Sequence, residues 1–222
     1  MNPYLTSLLI LFFLIILIWY SIPFIYTRGF SKLNAAYIEP QEFPNFITNE
    51  ENDYILQSAM SSFKKSSVLF GSTKKRRMSD NAWLYLNDPV IYNIVSRVCH
   101  LTGIHPSHSE AMQVVRYKKG GYYKPHHDAS CSPIYESMKF EKSAGQRVVT
   151  MIIYLNDNFK GGETNFPNLK KEFKPEKNKG LLFYPLERDG GKCHPKALHG
   201  GKEILEGEKY IATIWLREKQ MK

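Results

Sequence analysis

The sequence predicts a mainly β domain with flanking helices (α+β), preceded by an N-terminal transmembrane helix. Three observations lead there. The folded part opens with two segments of helical apolar periodicity, around residues 48–60 and 88–101. From Glu110 onward the pattern turns to short apolar, β-branched runs separated by Gly-, Pro- and Asn-rich turns, with no βαβ alternation. Residues 2–27 carry no charged side chain at all.

In chain order, the stretch 5–26 is dominated by Leu, Ile and Phe, and ~20 apolar residues cross a hydrocarbon core as a helix. Tyr4 at its start and Trp19, Tyr20 and Tyr26 towards its end hold the interfacial places amphipathic aromatics prefer. The run is too long for a cleaved signal peptide, lacks a basic start and shows no small-residue cleavage site. An uncleaved anchor over residues 1–27 is expected. Arg28 and Lys32 favour a cytosolic C-terminal flank, but Glu39 and Glu42 follow, so orientation stays open. Residues 28–42 read as a stalk and 43–222 as the folded domain.

Thr48 or Asn49 can cap the first helix, whose opening turn carries Glu50, Glu51 and Asp53 against the helix dipole. Its apolar face is Ile55, Leu56, Ala59 and Met60. The second helix starts near Asp88-Pro89, lines up Val90, Ile94, Val95 and Val98, and stops at Gly103. Strands are expected at Met112–Tyr117, 147–155, 180–184 and 210–216, divided by Gly120-Gly121, Asp157-Asn158, Gly161-Gly162 and Asp189-Gly190-Gly191. Two helices followed by many short strands fit an antiparallel sandwich or barrel backed by helices.

Composition narrows the function. A 222-residue chain that is 43% hydrophobic and 14% aromatic folds on its own core. The net charge of +9 comes mostly from lysines scattered through loops such as 170–179 and from the run Lys74-Lys75-Arg76-Arg77. No interleaved aromatics and no helix–turn–helix pattern accompany it, so a solvated basic face is expected and no nucleic-acid partner. Cys99, Cys131 and Cys193 have no CxxC spacing, which excludes a disulfide framework and a structural zinc site. Free or buried thiols are expected, with a single Cys131–Cys193 bridge in an oxidising compartment as the alternative.

The chemistry is concentrated at His126-His127-Asp128. In extended backbone, residues two apart face the same way, so His126 and Asp128 can grip one ion while His127 turns aside. One imidazole and one carboxylate need a third ligand to form the facial triad that leaves positions open for substrate and dioxygen, the signature of non-haem Fe(II) oxygenases. His100, His105 and His108 precede the motif. His199, glycine-framed in Ala-Leu-His-Gly-Gly, and His194 are the candidates. Lys209 favours His199: it lies ten residues further, on the approach to an apolar strand. A buried ammonium there must find an anion, and the distal carboxylate of 2-oxoglutarate is such a partner. An isolated His-x-Asp is more often a surface pair; the third histidine and the lysine outweigh that reading.

With these residues in place the chain resembles the prolyl 4-hydroxylase catalytic domain, from about residue 43 to residue 217. The pattern Tyr-x2-Gly-x2-Tyr-x2-His-x-Asp is met by Tyr117, Gly120, Tyr123, His126 and Asp128. Arg-x2-Thr-x3-Tyr-Leu-Asn is met by Arg147, Thr150, Tyr154, Leu155 and Asn156; Gly-Gly-Glu-Thr-x-Phe runs from Gly161 to Phe166; the closing His-x9-Lys is His199 and Lys209, followed by Trp215. Arg77-Met78-Ser79 is similar to the family's Arg-Thr-Ser segment. The resemblance implies a double-stranded β-helix (jelly-roll) core with Fe(II) on His126, Asp128 and His199. It implies that Lys209 binds 2-oxoglutarate, helped by Tyr117 and Thr164, and that Tyr123, Arg147 and Trp215 line a peptide groove. Arg217 stands where some relatives carry a histidine close to the substrate. Each borrowed role has a plainer counterpart: strand packing for Tyr117 and Tyr123, core for Trp215, a surface ion pair for Arg147, a turn for Gly161-Gly162.

The implied reaction is 4-hydroxylation of a proline in a proline-rich or collagen-like peptide, using O2, decarboxylating 2-oxoglutarate to succinate and CO2, and sustained by L-ascorbate. A polyproline II segment suits such a groove. The location the resemblance implies is the membrane of the endoplasmic reticulum with a luminal catalytic domain, an orientation the flanking charges leave open. Loops 66–79 and 165–179 are expected to close over the peptide, their lysines favouring acidic sequences. Rival readings are an oxygenase acting on another residue or a small molecule, a tethered peptide-binding module without turnover, and a zinc hydrolase on the same triad.

Overall fold

The computed structural model describes residues 37–65, 77–130, 143–187 and 192–221. Helix α1 (Asn49–Met60) begins with a reciprocal capping box: the Glu51 amide donates to Thr48 Oγ1 at 3.2 Å, and the Thr48 amide donates to Glu51 Oε2 at 2.9 Å. Helix α2 (Pro89–Thr102) is capped by Asp88, which accepts from the Val90 and Ile91 amides at 2.9 and 3.1 Å. It ends at Gly103 with φ +72°, the left-handed stop that glycine adopts without strain. Both helices thus start, and α2 stops, where their caps predict.

The strands are β1 (Gln41–Phe43), β2 (Lys64–Lys65), β3 (Asp80–Leu84), β4 (Met112–Tyr117), β5 (Tyr123–His126), β6 (Arg147–Tyr154), β7 (Lys160–Gly161), β8 (Thr164–Phe166), β9 (Lys171–Phe173), β10 (Gly180–Phe183), β11 (His199–Gly201), β12 (Ile204–Glu206) and β13 (Lys209–Arg217). Seven form one sheet in the order β1-β10-β6-β13-β4-β3-β2, four form a second in the order β5-β11-β8-β9, and β12 pairs with β7. All pairings within the sheets are antiparallel.

The large sheet separates two cores. Ile55 of α1 and Ile91, Ile94 and Val98 of α2 pack with Val114, Met151, Ile153, Ala212 and Ile214 on its helix side. Each such fully buried aliphatic side chain contributes roughly 1.5–3 kcal/mol. On the opposite side Val115, Ile152, Tyr154 and Ile211 meet Phe166 of the small sheet and Phe183 of β10. The mainly β architecture, two facing sheets plus two helices, fits the jelly-roll expectation.

Several expectations are adjusted. Gln41 and Glu42, assigned to the stalk, pair with Leu182 and Leu181 at the edge of the large sheet. Segment 165–179 is not a loose flap: it holds β8 and β9, and its Lys179 is buried between Glu42 at 2.6 Å and Glu176 at 2.8 Å. Lys171 pairs with Glu39. Most of the other expected loop, 66–76, lies outside the described residues. Cys99 is buried and free, as expected, but Cys193 is disulfide-bonded, with its partner outside the described residues. Among the described residues no helix is long and apolar enough to cross a membrane, and the expected anchor, residues 1–27, lies outside them.

Candidate metal centre

Strand β5 ends on His126 and its antiparallel neighbour β11 begins on His199, and these two residues are direct cross-strand partners. Their pairing needs Gly200, because a Cβ there would meet Tyr123 O at 2.8 Å and Pro125 N at 3.0 Å. Asp128 follows His126 by two residues and joins the same side. His126 Nε2 lies 3.5 Å from Asp128 Oδ1, and His199 Nε2 lies 3.7 Å from Asp128 Oδ2. Across the three residues the ligand atoms fall within 4.8 Å of one another. His194, the rival third ligand, stands apart: its ring stacks on Tyr37 at 4.1 Å and its Nδ1 accepts from the Lys196 amide.

The surroundings prepare this group for a cation. His126 Nδ1 contacts Lys124 O at 2.9 Å and His199 Nδ1 contacts Ala197 O at 3.0 Å. A carbonyl can only accept, so each ring carries its proton on Nδ1 and presents the Nε2 lone pair to the shared centre. Asp128 Oδ2 accepts from Thr150 Oγ1 at 2.7 Å and from Trp215 Nε1 at 3.1 Å. Thr150 and Trp215 are themselves cross-strand partners on β6 and β13. The donor set of two imidazoles and one carboxylate fits a ferrous ion.

Charge agrees with that geometry. Burial by itself would raise the Asp128 carboxyl, but the His199 and His126 imidazoles and Arg147 hold it well below the usual carboxylate range. Burial pushes His199 down to about 4, against the pull of Asp128, so the ring is neutral at physiological pH.

Further in, Lys209 of β13 faces its partner Tyr117 of β4 and is 3% exposed. Its Nζ donates to Gly162 O at 2.5 Å. Among the described residues no carboxylate is in ion-pair contact with it. Burial lowers the amine to about 7, opposed by Glu163. Gly162, at φ +72°, is needed here, since a Cβ would strike Ile204 Cδ1 at 2.4 Å and press on Lys209 Cδ at 3.2 Å. Thr164 is buried with its hydroxyl accepting from Tyr154 OH at 2.8 Å. A buried cation waiting for an anion thus adjoins a polar pair.

The residues expected to line a groove also assemble. Tyr123 stacks on His126 at 3.6 Å, and the Arg147 guanidinium sits 3.7 Å over the Trp215 ring. Arg147 is ion-paired, as its plainer reading has it, but to a buried carboxylate: Glu110 accepts from its Nε at 2.6 Å and its Nη2 at 2.8 Å, and from Arg217 Nε at 2.7 Å. Thr150, Glu110, Tyr154 and Arg77, whose guanidinium lies 4.8 Å over Tyr123, also belong to the site and had no assigned role. Thr150 and Tyr154 match the family's strand pattern and share the parity of the inward residues on β6, the two signals that point to them.

A facial His-Asp-His group beside a buried lysine, inside two facing antiparallel sheets, defines the class of Fe(II) and 2-oxoglutarate dependent dioxygenases. Residues 112–217 match the 2OG-Fe(II) oxygenase superfamily. Within that class the chain belongs to the prolyl 4-hydroxylase family. It is 37% identical over 192 residues to a putative prolyl 4-hydroxylase of Acanthamoeba polyphaga mimivirus, covering 86% of this chain and 79% of that protein. It is 34% identical over 197 residues to prolyl 4-hydroxylase 1 of Arabidopsis thaliana, covering 79% and 67%. The fold matches the viral collagen prolyl hydroxylase of Paramecium bursaria Chlorella virus-1, in its 2OG complex, with a TM-score of 0.65 and 28% identity, over 80% of this chain and 95% of that one.

Proposed function

We propose that this chain hydroxylates peptidyl proline at C4 while decarboxylating 2-oxoglutarate to succinate and CO2. The observation that carries the reading is the juxtaposition of the His126–Asp128–His199 group with the buried Lys209 cation. His126, Asp128 and His199 hold the iron, which with O2 and 2-oxoglutarate supplies the oxidising power that replaces C–H by C–OH. Lys209 receives the distal carboxylate of 2-oxoglutarate, with Tyr117 and Thr164 beside it. Thr150 and Trp215 fix the Asp128 carboxylate by occupying Oδ2. Tyr123, Arg147 and Trp215 line the groove for a proline-rich or collagen-like peptide, and L-ascorbate keeps the metal ferrous.

The test loads the protein anaerobically with Fe(II) and 2-oxoglutarate, admits O2, and follows succinate with and without a proline-rich peptide, mass spectrometry locating the added oxygen. Peptide-stimulated succinate with one oxygen on proline C4 is expected. Oxygen on another carbon or residue would redirect the specificity, and absence of succinate would overturn the reading.

The proposal extends to location: residues 1–27 anchor the chain in the membrane of the endoplasmic reticulum with the catalytic domain in the lumen. The uncharged N-terminal run supports an anchor, and the disulfide at Cys193 suits an oxidising compartment. Protection of the domain from added protease in sealed microsomes is the expected result; digestion without detergent would reverse the orientation.

A further inference from the structure

We propose that Trp83 forms an outlying subsite of the peptide groove, stacking on a proline ring about one turn along the same polyproline II segment from the residue at the metal centre. The inference rests on the peptidyl-proline reading and adds to it a specificity-determining residue, one that touches the peptide beyond the proline at the metal centre.

Strand β3 alternates. Ala82 and Leu84 are buried in the helix-side core, so Trp83 between them faces the opposite side of the sheet, the side of the site. There it is 39% exposed, unusual for the side chain with the most apolar surface to hide. Its ring lies 6.4 Å from that of Trp215, whose indole N–H is bonded to Asp128. The floor between them is continuous. Trp83 pairs with Gln113 across β3 and β4, and Gln113 pairs with Thr213 across β4 and β13, two residues before Trp215.

Opposite this floor stands Arg77, whose Nη2 donates to Gln113 Oε1 at 3.4 Å while its guanidinium covers Tyr123. An aromatic track therefore leads from a metal-ligand's partner to the sheet's open flank, with guanidinium N–H groups along it. A polyproline II chain makes no internal hydrogen bonds, so its carbonyls need outside donors. Residues on one of its faces recur every ~9 Å, so a chain with one proline at the metal centre carries the next outward along the floor that Trp215 and Trp83 share. A helix, ~10 Å across with its carbonyls already satisfied, fits neither feature.

The experiment measures peptide binding calorimetrically under nitrogen, using the full chain loaded with Fe(II) and 2-oxoglutarate. The probes are a blocked tripeptide centred on proline and a nine-residue proline-rich peptide. The wild type is expected to bind the nonapeptide more tightly. Trp83→Ala should weaken the nonapeptide by about tenfold and the tripeptide by less than about twofold, with Trp83→Phe recovering most of the loss. Equal weakening of both peptides, or no length preference in the wild type, overturns the subsite. Should Trp83→Ala lower Tm, Trp83→Phe and Trp83→Gln carry the comparison, and failure of Gln to separate the two peptides overturns it as well. A change in sedimentation with unchanged peptide affinity would give the surface to a second copy of the chain and also overturn it. If proline is hydroxylated but affinity ignores Trp83, the subsite alone fails. If no proline is modified yet nonapeptide binding still depends on Trp83, the function reading alone fails.

Discussion

Strand β6 serves two cores at once. Towards the helices it turns Val149, Met151 and Ile153; towards the small sheet it turns Thr150, Ile152 and Tyr154. Strand β13 does the same, with Ala212, Ile214 and Leu216 on one side and Lys209, Ile211 and Trp215 on the other. The helix side is a nearly pure aliphatic layer. The site side buries Lys209, His199, Thr150 and Thr164, each of which must recover in hydrogen bonds or ligands what it loses in hydration. One set of strands thus separates stability from chemistry by residue parity alone.

Substitutions on the two faces should therefore fail differently. The largest effect is expected from His199→Ala: turnover falls to the level of a protein-free control and bound iron is lost, while circular dichroism keeps the wild-type β signature. Retained iron with full activity would remove His199 from the centre.

On the other face, Ile153→Ala should cost about 2–5 kcal/mol of stability, read as a lower Tm, with iron content and 2-oxoglutarate KM unchanged. A KM shift comparable to the stability loss would show that the faces are coupled.

Lys209→Met should raise the KM for 2-oxoglutarate by roughly 10- to 150-fold, the equivalent of about 1.5–3 kcal/mol for a charge-assisted contact. The wild type adds a pH signature. In the ligand-free fold the amine sits at about 7, below its ordinary value of 10.5. Between those values the unfolded chain holds one more proton, so stability of the ligand-free enzyme rises with pH across that window. Affinity for 2-oxoglutarate, which needs the ammonium, falls as pH rises through about 7. Lys209→Met should show neither slope in thermal melts and ligand titrations.

Thr150→Val removes one of the two donors to Asp128 and should weaken iron binding by about 10- to 100-fold, measured with a competing chelator. The smallest change is at the rim of the helix side, where Thr48→Ala loses the capping box and should cost about 1 kcal/mol with kinetics untouched.

The same division explains what was legible beforehand. Both helices announce themselves through Thr48, Asp88 and Gly103, and β4, β6, β10 and β13 through stretches rich in apolar and β-branched residues. The ligand-bearing small sheet does not: β5, β8, β9 and β11 are three or four residues long, interrupted by Pro125, Gly200 and Gly201, too short for any period to register. His126, Asp128 and His199 were found through spacing and resemblance rather than through their strands. Thr150 and Tyr154 were matched to a family pattern without a role and Glu110 escaped altogether, because their roles exist only across the fold: Glu110 reaches Arg217 from 107 positions away. The disulfide at Cys193 was foreseen only as the alternative to free thiols, because an odd cysteine count carries no sign of which thiol pairs.

Strand β13 carries one more consequence. Lys209 at one end and Trp215 six residues on share its inward face, so the place for 2-oxoglutarate and the partner of Asp128 are measured along a single ruler ~20 Å long. Point changes can retune either mark separately. Loss or gain of one residue between them cannot, since it would turn one of the two out of the pocket. The length of that strand between Lys209 and Trp215 is thus a quantity on which cofactor, metal and peptide sites must agree, and indels there should be all-or-none where substitutions are graded.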